Sequence, residues 1–381
     1  MVTYLLIDDD AGDAAEAELY AETLMTTSDG TLIVHTLRPD ALLKTLEAIA
    51  VAKPDGLLLD VALTNALTAD RQQVGFDGIA LAQQVRTLQT RGRVTGAATL
   101  SEFPLVRFSK KDVIREYVNE DTTSDDLFDD MIDKGEIADA AEHAARRIQS
   151  LAEDYPRVIH FGRSDSNAKA LAEVLGCDTD FLARLDPRAL LGLRRPGAPA
   201  HVLARYFTAK LLGRPGPLVD EALLAVRLGI DCDHSEDWGA LKAALDVAVY
   251  RGAFFQGYPR WWHLRIMDWW QEVIDADRAP NRLETPDRVS AISAALNLRA
   301  LNPLADDADS PGRRFWHNCK RSGRPVDPSH GFALLPVYGQ ESWQDSDYLC
   351  QEEAMRDPQH PRLSPTERGR LVRLLQARAA G

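Results

Sequence analysis

Through the first 150 residues, short apolar runs that end in charge alternate with longer stretches whose apolar positions recur at helical spacing. Residues 2–7 are such a run and predict a buried strand. Residues 11–25 are rich in Ala, Glu and Leu at helical spacing, and residues 31–37 alternate as a strand. Asp40 is placed to cap a helix over 41–52, Pro54-Asp55-Gly56 stops it, and 57–60 predict the third strand. A helix over 78–89, a strand over 105–108, a strand near 128–132 and a helix over 137–152 complete five strand–helix units. This alternation predicts an α/β fold, a doubly wound five-stranded parallel sheet with helices on both faces.

Beyond Tyr155-Pro156 the pattern changes, and this dipeptide is the expected domain boundary. Residues 157–161 read either as a short strand or as an interdomain segment. The spacing is then mainly helical, over 167–176, 178–185, 200–212, 218–228 and 238–250, with Pro and Gly at 196–199 and 213–217 as breaks. The expected organisation is one domain over 1–154 and a mainly helical second domain over 155–381, with subdomains over 157–280 and 281–381. Residues 110–126 and 306–311 read as polar loops, and 313–355 are aromatic and turn-rich.

A chain of 381 residues with 45% hydrophobic content and seven Trp can build two or three domains with real cores. It has no apolar run of the length, about 18 residues, that predicts a membrane span. The N-terminus enters a strand without a basic region or cleavage site, so the expected location is the cytoplasm. Cys177, Cys232, Cys319 and Cys350 form no CxxC and are expected to remain reduced thiols. Charge is unevenly divided: 27 acidic residues face 14 basic ones in 1–150, against 31 and 30 in the remainder. The field of the first half therefore attracts divalent cations and repels nucleic acid.

Candidate chemistry sits at four strand ends. Asp8-Asp9-Asp10 follows Tyr4-Leu5-Leu6-Ile7, and Asp60 follows Leu57-Leu58-Leu59. Ser109 follows Leu105-Val106-Arg107-Phe108, and Lys134 follows Met131-Ile132-Asp133. In a doubly wound sheet, ligands bind outside the carboxyl ends of the strands, so these residues can converge. Mg²⁺ takes oxygen ligands and keeps several waters beside one or two carboxylates, which makes Asp8, Asp9 and Asp60 the candidate ligands. Phosphoryl transfer rests on positioning and charge neutralisation. A phosphorylated side chain gains about −1.5 to −2 charges, for which Ser109 and Lys134 are suitable partners. Each element alone is ordinary, since Asp-Asp pairs cap turns and a lysine after a strand is usually on the surface. The information lies in four elements occurring in order.

These motifs resemble the receiver domain of two-component response regulators over residues 1–150. Phe76-Asp77-Gly78 matches the family's turn after the third strand, and Asp129-Asp130 matches the pair before its fifth. The resemblance implies a flavodoxin-like receiver fold, with Mg²⁺ on Asp8, Asp9 and Asp60. It implies Asp60 as the phosphoacceptor, Ser109 and Lys134 as phosphate-binding groups, and a histidine kinase or phosphotransfer protein as donor. It implies a phosphorelay protein, not an enzyme beyond its own Mg²⁺-dependent phosphorylation, compatible with a homodimer. Three positions depart from the family's pattern: a long segment between Asp60 and Phe76, Met131 where an aromatic is usual, and Gly135 where Pro is usual. They leave the acceptor site intact and put the usual readout in doubt.

The second half is expected to act by contact with an effector protein. Alternatives are a phosphate sink or relay in a multi-protein signalling or phage-defence system, and a DNA-binding regulator. The last rests on a helix-turn-helix-like string near 218–250, but the acids at Asp231, Asp233, Glu236 and Asp237 that follow it would repel phosphate. Trp261, Trp262, Trp269 and Trp270 read either as a buried helix or as a partner surface, because aromatics are enriched at interface cores. His263, His317, His330 and His360 lack metal-ligand spacing, and Cys319 or Cys350 near a His is too little to mark a catalytic thiol.

Overall fold

The structure, a computed structural model, describes residues 1–12, 16–95, 100–110, 123–305 and 312–380. The helix expected from residue 11 and the loop expected over 110–126 lie partly outside these residues, and the loop at 306–311 wholly so.

Strands β1 (Val2–Ile7), β2 (Leu32–Leu37), β3 (Gly56–Leu59), β4 (Leu105–Ser109) and β5 (Asp130–Asp133) form one sheet in the order β2-β1-β3-β4-β5. Every pairing is parallel. This is the doubly wound order whose switch point lies between β1 and β3. Helices α1 (Glu16–Thr27), α2 (Leu42–Ala52), α3 (Gly78–Thr95) and α4 (Ile137–Gly162) flank the sheet. Leu57, Leu58 and Leu59 are fully buried, as a central strand covered on both faces requires. The break at Pro54-Asp55-Gly56 has a packing reason. Gly56 pairs with Tyr4, and a Cβ on it would lie 2.2 Å from the Tyr4 ring. The Tyr4 hydroxyl crosses the core to donate to the Ile148 carbonyl of α4 at 2.8 Å.

Asp40 is not the cap of α2: Ala41 holds that position, and the Asp40 carboxylate accepts from the Ala41 N–H at 2.7 Å. The chain divides into two compact units, Met1–Gly213 with Arg251–Tyr258, and Arg214–Tyr250 with Pro259–Gly381. The boundary expected at 154/155 falls inside α4, so 157–161 are helical and not a strand. Ile148, Leu151, Tyr155, Val158 and Phe161 are buried at helical spacing along that helix. Their burial outweighs the hydrogen bond lost at Pro156.

The first unit continues through α5 (Ala168–Leu175), α6 (Thr179–Arg184) and α7 (Ala200–Arg205), the last running into a wider π turn over Tyr206–Leu211. Asn167 and Asp178 cap α5 and α6 with their side chains. The second unit contains α8 (Glu221–Leu228), α9 (Trp238–Ala244), α10 (His263–Trp269), α11 (Thr285–Leu296), α12 (Gln351–Arg356) and α13 (Pro365–Ala380). Its strands are two-residue pairs: β6 (Leu218–Val219) with β7 (Trp261–Trp262), β8 (His317–Asn318) with β9 (Pro325–Val326), and β10 (Phe332–Ala333) with β11 (Tyr348–Leu349). Among the described residues, no helix is long and apolar enough to cross a membrane.

Candidate functional site

Asp8 follows β1 and Asp60 follows β3, so the two carboxylates flank the switch point of the sheet. The Asp60 N–H donates to the Ile7 carbonyl at 3.0 Å, which continues the β1–β3 ladder and fixes the Asp60 backbone. On its other side, Gly78 opens α3 and donates its N–H to the Val61 carbonyl at 3.0 Å. A Cβ on Gly78 would lie 1.9 Å from the Asp60 carbonyl oxygen, so the glycine of Phe76-Asp77-Gly78 permits this approach. Asp77 accepts from the Ala80 N–H at 2.7 Å and secures the helix start.

Ser109, fully buried at the end of β4, donates to Asp60 Oδ1 at 2.5 Å and accepts from the Val61 N–H at 2.7 Å. The Ala62 N–H also reaches Asp60 Oδ1, at 3.2 Å. Lys134, buried just after β5, donates from Nζ to Asp8 Oδ2 at 2.5 Å and to Asp60 Oδ2. Burial works against its ammonium, but Asp60 and Asp8 outweigh that cost and hold its pKa above the ordinary lysine value. Ligand oxygens of Asp8, Asp9 and Asp60 all lie within 4.8 Å of one another. Burial, with Asp8 and Asp60 adding to it, pushes the Asp9 carboxyl up against a hydrogen bond from Asn65. Three carboxylates in one pocket, one of them raised chiefly by burial and further by its neighbours, are a donor set that fits a hard divalent cation.

Sequence reasoning missed the pocket's surroundings. Asn65 belongs to the long segment after Asp60, which folds back on itself through the Leu67–Gln73 bridge and buries Val61, Leu63, Ala66, Val74 and Phe76. At the rim, Lys110 pairs with Glu16 at 2.8 Å, and the Tyr20 hydroxyl donates to Glu16 at 2.7 Å. Lys134 Nζ lies 5.9 Å from the Tyr20 ring centre and 5.7 Å from that of Phe108. No short-range motif marks these residues.

Asp129 and Asp130 do not serve the pocket. Asp129, fully buried, meets Arg86 at 2.5 Å, the Tyr155 hydroxyl at 3.2 Å and the Leu105 N–H at 2.7 Å. Burial still holds its pKa up, although Arg86 lowers it. Asp130 receives Arg147 Nε at 2.9 Å and the Tyr258 hydroxyl at 2.5 Å. The signal for Arg86 was its place on the helix face of Leu81, Ala82 and Val85, where a cation must bring an acid with it.

Trp261, Trp262, Trp269 and Trp270 are 6%, 0%, 5% and 1% exposed, so they are core and not a partner surface. They are not one helix either: Trp261 and Trp262 form β7, and the other two close α10 around Trp238, Leu241 and Ile292. The string near 218–250 forms α8 and α9, capped by Asp220 and Gly229, with Lys242 of α9 paired to Glu221 at 2.7 Å.

No family model and no curated protein matches the chain. Among solved structures it resembles the receiver domain of NtrX from Brucella abortus at 22% identity, over 38% of this chain and 97% of that one, with a TM-score of 0.26. A putative response regulator from Chloroflexus aurantiacus shares 20% identity over 39% and 98%, with a TM-score of 0.25. NtrX in complex with ATP shares 19% identity over 43% of this chain and 30% of that one, at a TM-score of 0.28. At these values the likenesses carry no argument of their own, and the fold rests on the sheet itself. With five parallel strands in the order β2-β1-β3-β4-β5 flanked by helices, the first unit has the fold of a receiver domain.

Proposed function

We propose that this protein is a signalling regulator of the two-component type, phosphorylated on Asp60 by a histidine kinase or phosphotransfer protein. One observation carries the reading: Lys134 and Ser109 both donate to Asp60 while Asp8 and Asp9 bring their carboxylates within 4.8 Å of it. Asp8, Asp9 and Asp60 would hold Mg²⁺, which supplies charge neutralisation for the transferring phosphoryl group. Asp60 is the nucleophile, and its carboxylate forms the bond to phosphorus as the donor's leaving group departs. The Lys134 ammonium and the Ser109 hydroxyl, now on Asp60 oxygens, then pass to the oxygens of the new phosphoryl group. Charge-assisted bonds of this kind are roughly twice as strong as neutral ones, so they help to hold the phosphoryl group in place once it is on Asp60.

The output is assigned to the second unit, through contact with an effector protein. Its charge balance, 24 acidic against 20 basic residues, supports that assignment over phosphate binding. Incubation with a small phosphodonor and Mg²⁺, followed by intact-mass measurement, is the test. A phosphoryl mass gain lost in Asp60→Asn is expected. A gain that survives in Asp60→Asn, or none with any donor, would refute the reading.

A further inference from the structure

No disulfide joins any of the four cysteines, all of which are described, and two of them share one place. Cys319 follows β8 in the turn toward β9, and Cys350 stands between β11 and α12. Both are buried, at 2% and 4% exposure, in a core formed with Val326, Phe332, Leu349 and Leu363. Cys319 Sγ accepts the N–H of Cys350 at 3.2 Å, across 31 positions of sequence. The Ser322 hydroxyl lies 3.8 Å from Cys350 Sγ. The main chain holds the two turns together, with the Lys320 N–H on the Tyr348 carbonyl at 2.7 Å and the Cys319 N–H on the Arg324 carbonyl at 2.7 Å.

We propose that Cys319 and Cys350 are a dithiol that closes reversibly to an intramolecular disulfide, tying the β8–β9 turn to the end of β11. A metal site is the competing use of two thiols. Among the described residues, however, Asp8, Asp9 and Asp60 are the only group of three or more His, Cys, Asp or Glu placed to share an ion. The two acids nearest in sequence on α12 are engaged, Glu352 by Arg324 and by Arg356 at 2.5 Å, and Glu353 by Arg356 at 2.8 Å and Arg321 at 3.7 Å.

The surroundings divide the roles between the sulfurs. Hydrogen bonds, first from the Cys350 thiol and then from Ser322 and the Cys350 main chain, hold Cys319 well below the ordinary thiol range against the effect of burial. The bond to Cys319 pushes the Cys350 thiol the other way. With hydrogen peroxide as oxidant, the Cys319 thiolate attacks one peroxide oxygen, the O–O bond breaks, and a sulfenic acid and hydroxide result. Cys350 sulfur then displaces the sulfenic oxygen, its proton leaving with that oxygen as water, and one S–S bond forms. Two thiols and one peroxide give one disulfide and two waters. The closed ring spans the whole β9–β10 segment, so oxidation restrains the unfolded chain and stabilises this part of the second unit.

The experiment uses the full-length Cys177→Ser/Cys232→Ser protein, which keeps the proposed pair and removes the two part-exposed thiols. It is treated with hydrogen peroxide and measured by intact mass, by thiol alkylation in denaturant and by thermal melting. The expected result is loss of the mass of two hydrogen atoms in the monomer and loss of both alkylatable thiols. Both changes reverse with dithiothreitol, and the oxidised form melts several degrees higher. Two thiols still alkylatable after peroxide would overturn the proposal. So would a mass gain of oxygen, disulfide-linked dimers alone, or protection that a chelator abolishes. None of these outcomes depends on phosphorylation of Asp60.

Discussion

Lys134 Nζ lies 2.5 Å from Asp8 Oδ2, although 126 positions separate the two residues. Among the described residues the ammonium is the one side-chain cation donating to both Asp8 and Asp60, so it offsets the mutual repulsion of the buried carboxylates. Removing one partner of a buried pair costs about 3–5 kcal/mol, because the remaining charge is left uncompensated. Lys134→Ala is therefore expected to lower stability by about that amount in chelator, measured by denaturant unfolding. Millimolar Mg²⁺ should recover part of the loss. Because the Lys134 pKa is raised, its contribution is fully present below the ordinary lysine pKa and fades only as pH climbs above it.

Asp9 is the carboxyl whose ionisation the pocket opposes. With its pKa raised, the native state loses stability as pH rises through the acid range and Asp9 ionises beside Asp8 and Asp60. Asp9→Asn should then melt higher than the parent at neutral pH without divalent ions. Mg²⁺ should stabilise the parent by about 2.7 kcal/mol at a hundredfold excess over its Kd. The variant should gain far less. An equal Mg²⁺ response in both proteins would place the metal elsewhere.

Gly78→Ala probes the backbone of Asp60, the proposed acceptor, without touching any charge. The new methyl group would fall 1.9 Å from the Asp60 carbonyl oxygen, so the start of α3 or the residue after β3 must move. Overpacking of this kind costs about 1–3 kcal/mol. Phosphorylation of Asp60 should slow severalfold even at temperatures where the variant is fully folded, as intact mass against time would reveal.

The Arg86–Asp129 pair holds β4, β5 and α4 together through Tyr155. Asp129→Ala leaves a buried guanidinium without its carboxylate and should cost about 3–5 kcal/mol. Arg86→Leu with Asp129→Leu should be far milder than either single change, because no charge then remains buried. A double-mutant cycle by urea unfolding measures the coupling.

His263 accepts a hydrogen bond from Arg227 at 2.8 Å, and burial together with that cation lowers its pKa to about 3. The unfolded chain then binds more protons than the native one between the ordinary histidine pKa and about 3. Stability is present above that window and is lost as pH falls through it, by at most about 1.4 kcal/mol per pH unit. His263→Gln should flatten this limb of the stability–pH curve.

Local signals in this chain were strong where neighbours in sequence do the physical work. The apolar runs of β1, β3 and β4, the side-chain caps at Asn167, Asp178 and Asp220, and the glycine of Phe76-Asp77-Gly78 are all readable along the sequence. The order of Asp8, Asp60, Ser109 and Lys134 after successive strands made their convergence foreseeable, since a parallel sheet brings its strand ends to one edge. What lay beyond reach were choices made by burial between distant segments. Tyr155-Pro156 looks like a boundary, but Val158 and Phe161 find a core that extends α4 to Gly162. Four neighbouring Trp look like a surface or a single helix, until β6 pairs with Trp261 and Trp262 and draws them inward. Asn65 and the Cys319–Cys350 contact have no signature of their own. Periodicity and capping act over a few residues, whereas the partner of a buried charge, amide or thiol is set by which surfaces the folded chain brings together.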